Sequence, residues 1–134
     1  MNSLVRTAVL VAATATLALG AGCGGTEATP IILPFSNICV PGGTTLQNFP
    51  VVLNMKVTAK TYVDITPNPG DEALVSTAWN GTASTYIIFG AGTNTQTVDI
   101  KAEAVTNPAH VTLTFKIRDT KEYQALSIDI KKGC

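Results

Sequence analysis

A chain of 134 residues is at most one domain once any targeting segment is set aside. Nine Lys and Arg against nine Asp and Glu leave no net charge, which argues against a nucleic-acid partner and against electrostatic capture of an acidic surface. Beyond the apolar N-terminus the sequence is rich in Thr and Val and poor in Lys, Glu and Leu, a composition that favours strands over helices.

Residues 1–22 have the layout of a secretory signal peptide. Arg6 is the only charge, Thr7 to Ala21 is an apolar run, and Gly20-Ala21-Gly22 lead into Cys23. The run is short for a membrane span, and no basic stop-transfer cluster follows it. Leu19 to Cys23 resembles the lipobox of bacterial lipoproteins, with Ala21 and Gly22 in the small positions. It departs from that pattern at Gly20, where Leu is usual; the Leu stands one place earlier, at Leu19. The resemblance implies that Cys23 becomes the lipidated mature N-terminus, carrying a diacylglyceryl group and an N-acyl chain, and more than one chain makes anchoring stable. It also implies the outer membrane, because Gly24 stands where Asp would favour inner-membrane retention. Signal-peptidase cleavage near Gly20 or Ala21, giving a secreted or periplasmic protein, is the alternative. Residues 23–34 then form a flexible tether and residues 35–134 the folded domain.

The cysteine count follows from that resemblance. With Cys23 consumed by lipid, Cys39 and Cys134 remain as an even pair in a disulfide-permissive compartment. A bridge between them ties the start of the domain to its last residue and constrains the unfolded chain by roughly 4–5 kcal/mol in the loop-entropy description. Two distant Cys and one His do not make a zinc ligand set.

In chain order, Pro30 to Phe35 is apolar but broken by Pro30 and Pro34, and reads as an extended edge segment or linker and not a central strand. Pro41-Gly42-Gly43 is a turn. From Phe49 to Ala59 the odd positions are apolar, which predicts one long strand with a buried face. Tyr62 to Ile65 is a short strand entering the Pro67-Asn68-Pro69-Gly70-Asp71-Glu72 loop. Ala73 to Trp79 is a strand candidate, and Asn80-Gly81 is a two-residue hairpin signal joining it to a strand around Thr85 to Phe89. Gly90 to Thr95 breaks the pattern. Three alternating strands follow, at 98–104, 111–117 and 125–130.

Seven or eight strands at a spacing of about a dozen residues predict a small all-β, antiparallel sandwich. Trp79, Tyr123 and this rhythm resemble a bacterial immunoglobulin-like sandwich, although the Cys-Trp-Cys spacing of antibody domains is absent. A small barrel with a ligand cavity shares the same rhythm.

No catalytic set emerges. His110 is the only histidine, sits after a Pro turn, and has no Gly-x-Ser-x-Gly elbow to serve. Asp71-Glu72, with Asp64 or Asp119, falls short of the six to eight oxygens that Ca²⁺ takes, so no metal and no cofactor is expected. Gly90-Ala91-Gly92 has no helix after it and is no phosphate loop. Asn80-Gly81-Thr82 matches a glycosylation pattern but reads as a turn, because the lipobox-like start implies a bacterial host. Trp79 and Tyr86 flank that turn as aromatic anchors for a partner or as core.

The expectation is a non-enzymatic, membrane-anchored envelope module with binding loops at Asn68, Asp71, Trp79, Asn80, Tyr86 and Asn94. Its partners are the membrane, through lipid, and another envelope protein. The alternatives are a periplasmic inhibitor or accessory factor of an envelope enzyme, and an assembly subunit that donates the Ile31 to Phe35 arm as a strand.

Overall fold

Apolar and polar side chains alternate along most of the chain, and that period of two dictates strands with one buried face. The computed structural model describes residues 28–134, so Cys23 and the signal-peptide region lie outside the described residues. Nine strands follow one another: β1 (Ile38–Pro41), β2 (Thr45–Val52), β3 (Thr61–Pro67), β4 (Val75–Trp79), β5 (Thr82–Ala83), β6 (Tyr86–Phe89), β7 (Thr95–Ala102), β8 (Ala109–Ile117) and β9 (Tyr123–Lys131). They form two sheets, ordered β1-β9-β8-β3-β6 and β2-β7-β4-β5, packed as the expected all-β sandwich.

The core lies between the inward faces. Val111, Leu113, Phe115 and Ile117 of β8 meet Val98, Ile100 and Ala102 of β7 across it, joined by Leu126, Ile128 and Ile130 of β9. Among the described residues no polar or charged side chain is buried, so burial of aliphatic and aromatic surface carries the packing.

Four expectations need correction. The sheets are not wholly antiparallel: β1 runs parallel to β9, with Ile128 opposite Ile38 and Ile130 opposite Val40. Among the described residues nine strands are present against about seven or eight expected, the additions being the short pieces Ile38–Pro41 and Thr82–Ala83.

The strand expected over Phe49 to Ala59 starts earlier, at Thr45, and its ladder ends at Val52. Inward burial nevertheless continues at Leu53 and Val57, held by a different partner: the Val57 N–H donates to Thr93 O at 2.9 Å and the Gly92 N–H to Val57 O at 2.7 Å. Within β2 a bulge at Asn48 (φ 59°) removes its N–H from the ladder, and Asp99 Oδ1 accepts it at 2.9 Å.

The stretch 23–34, expected as tether, contributes Ile32 to the core with none of its surface exposed. Ile32 bridges Leu53 antiparallel beyond the end of β2, with Leu33 N–H to Val52 O at 2.9 Å and Asn54 N–H to Ile31 O at 3.0 Å. The two prolines exclude a long strand, but a single bridged residue needs no long strand to be buried. Phe35 then stacks 4.8 Å from Phe115 and 5.5 Å from Phe49 as the chain crosses to the other sheet.

Candidate functional site between the two sheets

One side of the sandwich is left open by the shortness of its edge strands. β6 pairs with β3 only over Thr61 to Asp64, and β5 pairs with β4 only at Ala78 and Trp79. Ile65 to Pro67 on one sheet and Val75 to Thr77 on the other therefore flank a gap. Pro67 lacks an N–H and ends the β3 edge. The gap is a cleft of about 570 Å³. Ile65, Val75 and Leu113, all essentially inaccessible, form its floor. Ser76, Thr77, Ser84, Thr85, Glu72 and Tyr86 supply the polar part of its lining. Such a volume lies in the range of small-molecule sites, roughly 300–1,000 Å³.

The chain segment at Ser84-Thr85 makes the cleft. Asn80 (φ 53°) and Gly81 (φ 80°) form the expected two-residue turn, with Trp79 opposite Thr82. The hairpin then stops, which corrects the expected pairing with Thr85 to Phe89. The Ser84 N–H donates to Thr77 O at 3.1 Å, and the Thr77 hydroxyl to Ser84 O at 2.5 Å. Ser84 Oγ accepts the Tyr86 N–H at 3.2 Å and donates to Tyr86 O at 2.7 Å, bending the backbone away. Thr85 O then accepts the Ile65 N–H at 2.7 Å, and β6 joins the opposite sheet.

The upper wall is the loop after β3. Asp71 Oδ2 accepts the Thr112 N–H at 3.0 Å while the Asn68 N–H donates to Thr112 O at 3.0 Å, so the loop carries the pairing with β8 past the end of β3. Glu72 Oε1 accepts the Gly70 N–H at 2.7 Å.

Tyr86 joins the cleft to an aromatic and charged patch on the outer face of the larger sheet. Its ring lies 5.6 Å from Tyr62 and 6.5 Å from Trp79. The Arg118 guanidinium sits 4.3 Å from the Tyr62 ring centre and 5.5 Å from that of Tyr86. It also forks onto Asp64, Nη2 to Oδ1 at 2.6 Å and Nε to Oδ2 at 3.1 Å. That hydrogen bond holds the Asp64 carboxyl below its usual value against the opposing desolvation, with smaller help from the charges of Arg118 and Lys116; Asp64 in turn raises Arg118.

Of the residues singled out from sequence, Cys39 and Cys134 are bonded, with Cα atoms 5.8 Å apart. The six loop positions do not form one surface. Strand directions place the Asn68 and Asp71 loop at one end of the sandwich, and the Asn80 turn and Asn94 at the other. Asn94 is structural there, its O accepting the Leu53 N–H at 2.8 Å. Trp79 is half-buried on β4, its Nε1 3.4 Å from Gln96 Oε1, and packs against Tyr86. Only Tyr86 lines the cleft itself. Sequence reasoning missed Tyr62, Arg118, Ser84 and Thr85. His110 pairs with Asp129 Oδ1 at 2.9 Å on an exposed face, away from the cleft. Among the described residues no three His, Cys, Asp or Glu side chains converge as metal ligands.

No family model and no curated protein matches the sequence. Among solved structures, the chain is similar to the crystal structure of the S-layer protein SbsC domains 4 and 5, with a TM-score of 0.50 at 17% identity. The likeness covers 78% of this chain and 48% of that one, so the chain spans about half the length of that structure. It is a likeness of fold.

Proposed function

We propose that the protein is a non-enzymatic binding module of the bacterial envelope, tethered to the membrane by lipid on Cys23 and engaging its ligand at the cleft beside Tyr86. The observation that carries the reading is the cleft: an apolar floor, polar groups around it and Tyr86 at its edge. The lipobox-like Leu19 to Cys23 supports the tether. The fold likeness to domains of an S-layer protein supports a cell-surface setting. Donation of the Ile31 to Phe35 arm to a neighbour is disfavoured, because Ile32 already fills its own chain's core.

Expression of the full chain and of Cys23→Ser in a bacterial host fed radiolabelled palmitate tests the tether. The expected result is label and membrane fractionation for the wild type, and neither for the variant. Equal partition of the two proteins overturns it.

A further inference from the structure

We propose that the cleft takes a neutral carbohydrate, a short stretch or end of a glycan chain, with the Tyr86 ring as its stacking platform. This rests on the binding reading above and names its ligand class.

The lining decides between ligand chemistries. Six of its eleven residues are polar, and four of those six present aliphatic hydroxyls. An acyl chain laid there would cover the Ser76 and Thr85 hydroxyls, which have no partner among the described residues, at a cost of about 1–3 kcal/mol for each one fully desolvated. An anion fares no better: no Lys, Arg or His lines the cleft, and its one charged group is the Glu72 carboxylate. The lining thus offers a phosphorylated, sulfated or uronic ligand no cationic partner. A neutral sugar fits both halves of the lining. Its C–H faces match Ile65, Val75, Leu113 and an aromatic ring, and its hydroxyls match groups that donate and accept.

Those groups remain available. The Thr77 hydroxyl donates to a backbone oxygen and keeps its acceptor capacity, whereas Ser84 Oγ, which also accepts the Tyr86 N–H, keeps one lone pair. Thr85 and Ser76 are exposed at the rim. Tyr86 is 37% exposed, yet its ring is held between Tyr62, Trp79 and the Arg118 guanidinium, so little side-chain freedom is lost when a ligand stacks on it.

Trp79 is the only tryptophan in the chain and lies 6.5 Å from Tyr86, so its fluorescence reports occupancy. The full chain is titrated with triacetylchitotriose, with cellotriose, and with decanoate as the acyl-chain probe. The expected result is a saturable change with at least one trisaccharide and none with decanoate. Tyr86→Ala should weaken it by about tenfold or more, and Tyr86→Phe much less. Thr85→Val, which removes one exposed hydroxyl at constant shape, should also weaken it, and keeps the test valid if Tyr86→Ala unfolds. Saturation by decanoate, silence with both sugars, or a sugar response indifferent to these variants overturns the proposal. Palmitate labelling of Cys23 is read separately, so a labelled, membrane-bound chain that ignores sugars defeats the ligand class and leaves the tether standing.

Discussion

Phe115 shows how much one side chain carries. It is fully buried at the centre of β8 and receives Phe35 from the entry arm at 4.8 Å. Phe115→Ala should cost about 3–5 kcal/mol, read as a lowered urea midpoint with an unchanged slope. Gly81 and Gly90 make a contrasting pair. Gly81 holds φ 80° in the turn that starts β5, so Gly81→Ala should cost about 1 kcal/mol or more although nothing lies within 4 Å of the added carbon. Gly90 has the same open space without the left-handed backbone, and Gly90→Ala should be neutral or gain up to about 1 kcal/mol. Asp64 governs a pH effect. Its folded pKa is depressed by Arg118, so its contribution is present above the unfolded carboxylate value, about 4, and is lost as pH falls through the folded value. Thermal melts of wild type and Asp64→Asn should differ slightly at neutral pH, the pair being exposed, and converge in strong acid.

At the scale of elements, the entry arm is the first to test. Ile32 is one bridged residue between prolines, yet it is wholly buried. Ile32→Ala should cost about 2–5 kcal/mol in the same denaturation series, a loss no free tether would show. The arm also marks where sequence stops being informative. Strands β7, β8 and β9 were legible because alternation reports which side is buried, and here burial and ladder pairing coincide. Along Val51, Leu53 and Val57 the alternation persists while the hydrogen bonds pass from β7 to the loop at Thr93. The pattern reads the same in both cases. The Asn80-Gly81 turn was legible because its backbone angles are local. The departure at Ser84 was not, since it depends on Thr77 and Ile65, residues that only the folded sheets bring near. The site divides the same way: Tyr86 stood out beside a turn, whereas Tyr62 and Arg118 meet it only once β3 pairs with both β6 and β8.

Across the whole molecule, Cys39 and Cys134 enclose nearly all of the fold, 95 residues apart in sequence. Reduction, or Cys134→Ser, should lower stability by roughly 4–5 kcal/mol in the loop-entropy description, measured as denaturation with and without reductant. The same bond has a mechanical meaning. The arm enters beside Leu53 at one end of the sandwich, β1 runs parallel to β9, and Lys131 leads out at the other end. A pull between the arm and Cys134 therefore passes from residue 39 straight across the sulfurs. Both sheets and the cleft lie within the bridged loop, so beyond the arm's own contacts at Leu53 and Phe115 the load bypasses them. Only with the bond reduced would the force reach the parallel strands, and then unfolding would release roughly 330 Å of chain from the 95-residue loop. The oxidised domain should thus keep the strand pairings inside the loop under a pull that detaches the arm.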